Sequence, residues 1–215
     1  MNREPLRETI RRELTERIVT GDLASGGPIR LVATASEMGV SVTPLRESLV
    51  QLELDGFVEN DPGRGYSVTR MTSAEINEIY PLIWTLEALA LRTAPPPEEA
   101  FDVLTDLNGR FRTCDDAREA QRLDREWHRT LLDRCPNRTL LDFLDVLKRR
   151  ATRYEVAFMR EVRRTGSSES ADQHDEIVCA LREPDMETAV EVLERNWRSG
   201  PETLIPWLEA GLDDA

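Results

Sequence analysis

Two histidines, His128 and His174, are the only imidazoles in the chain, and His128 stands at a spacing that suits metal chemistry. Asp124 lies four residues before it on a predicted helix, so both side chains project from one face with Cβ atoms roughly 5–6 Å apart. A carboxylate and an imidazole at that distance can share one ion. Neighbours such as Leu123 and Trp127 make the face mainly apolar, and buried titratable groups need partners. The alternative is a surface Asp–His pair or a hydrogen-bonded core histidine.

Other chemical motifs are missing from the sequence. The three cysteines, Cys114, Cys135 and Cys179, form no C-x-x-C pair, which indicates neither a disulfide framework nor a thiolate zinc site. No G-x-S-x-G, H-E-x-x-H or phosphate-loop pattern occurs. The sequence therefore predicts that the protein is not an enzyme.

The composition is that of a folded protein, with 40% hydrophobic and 32% charged residues among 215. No stretch approaches the eighteen or so apolar residues of a membrane span, and the N-terminal segment lacks the apolar core of a signal peptide. We expect a cytoplasmic protein that does not associate with a membrane.

The net charge of −13 argues at first against a nucleic-acid partner, since Lys and Arg supply most non-specific affinity for phosphate. The charge is uneven, however. Residues 1–70 contain nine Arg and eleven acidic residues, a net of −2, and residues 71–215 carry the remaining −11. A nearly neutral module can still bind DNA through a local group of arginines.

The elements of residues 1–70 predict a winged helix-turn-helix. Leu6, Ile10, Leu14 and Ile18 recur at helical spacing, and two shorter helical patterns then meet at Gly39. The period next changes to the strand-like alternation of FVEN and YSVT around the turn DPGRG. Three helices followed by a hairpin are typical of this DNA-binding domain.

Residues 71–215 predict an all-α bundle. Thr72 and Glu75 form a capping box that opens a helix to about Thr93. Helical patterns then run at about 97–113, 116–134, 137–164, 168–183 and 185–199, before a short amphipathic tail around ETLIPWLEAG. The fold class is thus mainly α, and a bundle of about six helices can enclose a ligand cavity.

The stretch GVSVTPLRESLVQLELDGFVENDPGRGYSV resembles the recognition helix and wing of GntR-family transcription regulators. The resemblance implies that Ser41, Thr43 and Arg46 meet DNA. Val42 stands where the family usually has arginine, so it offers a base only apolar contact and the operator should differ from that of typical relatives. Arg30, before the second helix, is expected to contact a phosphate.

The resemblance also implies that the tip of the predicted wing contacts DNA. Arg64 is expected in the minor groove, where Gly63 and Gly65 permit close approach of the backbone.

The helical remainder is similar to the FadR-like effector domain called FCD. The resemblance places Asp124, His128 and His174 around a divalent metal such as zinc or nickel. Asn196 occupies the position at which many such domains have a third histidine, and an amide oxygen is a poorer ligand than imidazole. A metal-free polar pocket that uses the same residues as hydrogen-bond partners is the alternative.

The effector pocket also departs from its relatives. Ile83 replaces an arginine of the family pattern and cannot bind a carboxylate, which lowers the expectation of an organic-acid effector without removing it. Trp84, Trp127 and Trp197 predict an aromatic pocket, which Tyr80 is expected to line as well, and Arg153 is the candidate replacement cation.

The sequence thus predicts a ligand-responsive transcription regulator, a repressor, that binds a double-stranded DNA operator as a homodimer. Its domains are expected at 1–70 for DNA binding and at 71–215 for ligand sensing and dimerisation. The alternatives are a metal-dependent enzyme, and a ligand-binding protein whose DNA-binding module is degenerate.

Overall fold

The computed structural model describes residues 6–162 and 167–213 and divides the chain into two compact units, 1–71 and 72–215. The first unit holds α1 Leu6–Val19, α2 Leu31–Glu37, α3 Val42–Leu54, β1 Val58–Asp61 and β2 Gly65–Val68. The second holds α4 Ser73–Thr93, α5 Glu98–Arg112, α6 Ala117–Leu131, α7 Arg138–Val162, α8 Ser167–Arg182 and α9 Met186–Asp213. The predicted fold class, a winged helix-turn-helix followed by an all-α bundle, is confirmed.

The helices of the first unit pack against one another through apolar residues that recur every three or four positions. The buried members are Ile10, Leu14 and Ile18 from α1 and Leu45, Leu49 and Leu52 from α3. Arg11 of α1 also pairs with Asp55 at the end of α3, at 3.2 Å. Between α2 and α3, Gly39 has a φ of +66°, a left-handed conformation that glycine adopts without steric cost. That turn sets the start of α3.

The hairpin is a regular antiparallel pair in which Val58 faces Val68 and Asp61 faces Gly65. Its strands lie within about one residue of the alternating patterns in the sequence. The extended segment before α2 covers one edge, because the amide of Ile29 donates to the carbonyl of Tyr66 at 2.8 Å. The hairpin is therefore anchored to the helices while its tip projects.

The six described helices of the second unit pack as a bundle, with α4 against α7 and α9, α5 against α6 and α8, and α8 against α9. The Thr72 side chain caps α4 by accepting from the amide of Glu75 at 3.1 Å. The Glu75 carboxylate is engaged elsewhere, since Arg150 and Arg153 of α7 donate to it at 2.8 and 2.6 Å. Glu75 thus links α4 to α7.

The C-terminal helix differs from the sequence-based expectation. A helix of residues 185–199 and a separate tail were expected, whereas α9 is continuous and contains Pro201 and Pro206. Tertiary packing explains the difference, because Leu204 is buried and a Cβ at Gly200 would lie 2.6 Å from Cε1 of Tyr80. This close approach brings α9 to α4.

The other helices agree with the predicted ranges to within a few residues, although residues 163 and 164 of the predicted range 137–164 lie outside the described residues. Among the described helices, none combines the length and apolar character needed to cross a bilayer.

Candidate metal centre and nucleic-acid interface

The second unit contains a small cavity of about 160 Å³. Its polar walls come from five helices: Tyr80 of α4, Gln121, Asp124 and His128 of α6, Glu155 of α7, Ser170 of α8 and Asn196 of α9. Since one water occupies about 30 Å³ in the liquid, the cavity has room for roughly five waters or a small organic molecule. Asp124 and His128, chosen from sequence spacing, both line it.

A buried carboxylate fixes the orientation of His128. Nδ1 of His128 lies 2.9 Å from Oε2 of Glu87, and Nε1 of Trp197 donates to the same oxygen at 2.5 Å. Lys148 forms an ion pair with the other oxygen of Glu87. Because a carboxylate accepts only, Nδ1 of His128 carries the proton and Nε2 keeps its lone pair for a ligand.

Glu87 is fully buried, and burial by itself acts to raise its pKa. The neighbouring His128 and Lys148 more than offset that effect and hold the pKa of Glu87 at about 2, against an ordinary value of 4.5. Glu87 is therefore a carboxylate at neutral pH and can keep His128 in one tautomer.

His174 is held in the same way by Asn108. The amide nitrogen of Asn108 donates to the carbonyl of Ala171 at 2.8 Å and to Asp175 at 2.6 Å, which turns its oxygen toward His174. Nδ1 of His174 donates to that oxygen at 3.1 Å. The lone pair of Nε2 consequently points the other way, toward Asp124.

Nε2 of His174 is an orphaned buried atom. It has no hydrogen-bond partner among the described residues and lies 3.6 Å from Oδ1 of Asp124. Burial, with a further contribution from His128, lowers the pKa of His174 well below its ordinary value, so the ring is neutral. A lone pair that faces a carboxylate oxygen is unfavourable unless a proton or a metal ion lies between them.

The donor set fits a divalent ion. Ligand atoms of Asp124, His128 and His174 all lie within 4.8 Å of one another. Ligands of a tetrahedral zinc ion stand about 3.4 Å apart, so a modest contraction would close the site. Burial raises the pKa of Asp124, with His128 and Lys148 opposing it, and a bound cation would favour its ionised form.

Asn196 lines the same cavity and is buried. Its amide nitrogen donates to Ser170 and to Gln173, both at 2.9 Å. Both N–H groups are thus engaged, which leaves the carbonyl oxygen as the atom that could face an ion.

The residues predicted for the effector pocket separate in the structure. Tyr80 lines the cavity, whereas Trp127 is core and stacks on His174 with ring centroids 3.7 Å apart. Trp84 lies under the guanidinium of Arg198, at 5.2 Å. Arg153 is not brought to the cavity, because its charge is paired with Glu75 at 2.6 Å.

Sequence reasoning missed the residues that hold the ligands. Glu87 continues the buried stripe of Ile76, Ile79 and Ile83 on α4, and an acidic residue on an apolar face is a signal for a buried partner. Asn108 and Glu155 gave no comparable signal, because their contacts depend on which helices become neighbours.

The first unit exposes most of the residues predicted to meet DNA. Ser41 is the N-cap of α3, and Thr43 and Arg46 are exposed on its first turns. Arg30, the N-cap of α2, is also exposed. Val42 is half-buried and packs against the core, so only part of its side chain is available to a base.

The tip of the hairpin presents Arg64, whose side chain is 89% exposed and lies 3.8 Å from Asp61. Gly63 and Gly65 both have positive φ, at +102° and +83°, and a Cβ at either would meet nothing within 4 Å. The tip is therefore narrow enough to enter a DNA groove.

Residues 6–68 match the sequence model of the gntR family of bacterial regulatory proteins, and residues 78–199 match that of the FCD domain. The chain belongs to the GntR family and carries an FCD domain. The two matches fall on the winged helix-turn-helix and on the helical bundle that contains the cavity. They confirm the resemblance inferred from the recognition helix.

Relatives of this GntR-family chain are named as regulators. It is 31% identical to the HTH-type transcriptional regulator YdhC of Bacillus subtilis over 140 residues, 62% of each chain. It is 26% identical to the transcriptional repressor GlaR of Escherichia coli over 202 residues, 86% of this chain and 89% of GlaR. In the first four curated relatives the match spans between 47% and 62% of their length.

The fold is shared with solved GntR structures. Escherichia coli McbR/YncC superposes with a TM-score of 0.79 at 18% identity, covering 95% of this chain and 99% of that one. Family and relatives are transcription regulators, so the alternative of a metal-dependent enzyme has no support among them.

Proposed function

We propose that this GntR-family chain is a ligand-responsive DNA-binding regulator, acting as a repressor in the cytoplasm. Its α3 reads an operator, and a small molecule in the FCD cavity controls the affinity for DNA. The observation that carries the proposal is the exposure of Thr43 and Arg46 on the first turns of α3. An exposed arginine there can reach base edges or phosphates in the major groove.

The regulator is proposed to act as a homodimer, with residues 71–215 supplying both dimerisation and ligand sensing. One recognition helix covers only a half-site, and two-fold symmetric proteins read inverted repeats. The near-neutral first 70 residues, against −11 for the remainder, support local contact with DNA through the first unit alone.

A divalent ion, zinc or nickel, is proposed in the cavity. Asp124, His128 and His174 would hold it, with Asn196 nearest the fourth position. The support is the orphaned Nε2 of His174 and the carboxylate and amide that orient the two rings. When bound, the ion supplies a positive centre for an oxygen of the effector. The alternative use of the same residues is as hydrogen-bond partners in a metal-free pocket.

Arg46→Ala tests the DNA-binding proposal. Double-stranded fragments that bind the wild-type protein would be selected from a random-sequence pool and assayed by gel shift. Arg46→Ala should abolish binding with no change in helical content. Arg12→Ala removes the same charge from an exposed position on α1 and should retain binding. If the wild-type protein selects no fragment, or both variants lose binding equally, the proposal fails.

Melting curves test the ion. Wild-type protein should melt higher with zinc or nickel than with a chelator, and His128→Ala should remove the difference, because binding to the folded state alone stabilises it. Elemental analysis of the purified protein provides a second readout. Coinciding curves would favour the metal-free pocket.

A further inference from the structure

The cavity is lined by acidic side chains and by no lysine or arginine among the described residues. Its ionisable walls include two carboxylates, Asp124 and Glu155, together with His128 and Tyr80. Nε2 of His174 is fully buried, has no hydrogen-bond partner in the described part of the chain and lies 3.6 Å from the lining residue Asp124. An anionic effector would find no side-chain cation here and would have to rely on a bound ion.

Glu155 lies on the α7 wall and is held by neutral groups. Tyr80 donates its hydroxyl to one oxygen at 3.0 Å, and Gln121 donates its amide to the other at 3.2 Å. No basic group within 4 Å pairs with Glu155 in the part of the chain described. Burial raises the pKa of Glu155 and the nearby Asp124 adds to that shift, while Gln121, Tyr80 and the more distant charge of Arg125 oppose it. A cationic partner in the cavity would stabilise the ionised form of Glu155.

A protonated amine has the chemistry to complete it. Ammonium supplies three donors and one positive charge, and Glu155 has acceptor sites left after Tyr80 and Gln121. Resting on the proposed effector role of this cavity, we infer that the effector is a small compound with a protonated amine that binds Glu155. Its other end would carry an oxygen directed at Asp124, His128 and His174.

The helical geometry places the two ends at a suitable separation. Gln121, which holds Glu155, precedes Asp124 by three residues on α6, and residues at that spacing have Cβ atoms roughly 5–6 Å apart. The amine site and the ion site are therefore each in contact with α6, through residues about one helical turn apart. Together with a cavity of about 160 Å³, this separation favours compounds the size of a short amino acid.

Matched pairs of small molecules test the inference without DNA. Glycine, β-alanine and 4-aminobutyrate would be compared by calorimetry and thermal shift with glycolate, 3-hydroxypropionate and 4-hydroxybutyrate, in which a hydroxyl replaces the amine. We expect at least one amine to bind roughly 10-fold or more tightly than its hydroxyl counterpart, since a charge-assisted hydrogen bond replaces a neutral one. This comparison uses only the wild-type protein, so its result does not depend on whether a variant folds.

The nearly isosteric Glu155→Gln should abolish the preference, and Glu191→Gln, at an exposed position on α9, should leave it unchanged. The inference is overturned if no amine exceeds its hydroxyl counterpart, or if the preference survives in Glu155→Gln. Either result would leave the DNA-binding proposal standing, because that proposal depends on the Arg46 gel shift. A failed gel shift with a clear amine preference would reject the regulator and retain the binding site.

Discussion

Glu87→Gln is the most informative single substitution in the bundle. The change removes a charge while it keeps nearly the same volume. Glu87 accepts from His128 and Trp197 through one oxygen and pairs with Lys148 through the other. In the variant, one amide oxygen can serve His128 and Trp197, but the amide nitrogen then faces Lys148. The partly buried ammonium of Lys148 therefore loses its carboxylate partner.

The magnitude follows from the pKa of Glu87, about 2 in the folded protein against an ordinary 4.5. At 1.36 kcal/mol per unit, the charged form contributes about 3 kcal/mol to stability. Because the folded-state pKa is the lower one, this contribution is complete above pH about 4.5 and is lost as the pH falls toward 2. For a chain of this size the loss corresponds to roughly 6–12 °C in melting temperature at pH 7.

Thermal denaturation of the full chain, followed by circular dichroism at several pH values, measures the effect. Glu87→Gln should melt lower than wild type at pH 7, and the gap should narrow below pH about 4.5. Exposed Glu191→Gln is the control and should match wild type throughout. A Glu87→Gln protein that melts with wild type at pH 7 would refute the reasoning that this carboxylate is charged and paired.

The same variant has a second readout through His128. Losing the partner that fixes a ligand's tautomer typically costs 10- to 100-fold in metal affinity. Zinc titration by calorimetry should therefore show weaker binding in Glu87→Gln, and unchanged binding would mean that Glu87 does not position His128.

Three further predictions concern DNA and the ion. Val42→Arg should change the operator bases selected from a random pool more than the affinity for random DNA, because an arginine fork can read guanine; an unchanged selected sequence would show that this position does not face the bases. Asn196→His should tighten zinc or nickel binding, and with metal at about 100 times its dissociation constant the folded state should gain roughly 2.7 kcal/mol; identical melting with and without chelator would contradict it. Sedimentation at micromolar concentration should give a dimer, and a monomer would count against the proposed mode of operator binding.

Local signals in the sequence were sufficient for the architecture. The apolar spacing of Leu6 to Ile18, the glycine between α2 and α3, and the change to strand alternation after Gly56 each depend on a few consecutive residues. They were therefore readable before any packing was known. The i, i+4 spacing of Asp124 and His128 was readable for the same reason, since one helix fixes it.

Contacts between helices were decided only by the tertiary structure. The continuation of α9 through Pro201 and Pro206 depends on packing of Gly200 against Tyr80, which overrides the local tendency of proline to end a helix. Arg153 is paired with Glu75, a residue 78 positions away, so its charge could not be assigned from its own segment.

The cavity shows the same division most clearly. The sequence by itself determined which residues carry imidazole and carboxylate groups and on which helices they lie. The tertiary structure decided that Glu87 and Asn108 orient the two histidines and that Glu155 meets Tyr80 and Gln121. The physical reason is range: helical periodicity acts over a few residues, whereas these four hydrogen bonds join side chains 34 to 75 positions apart.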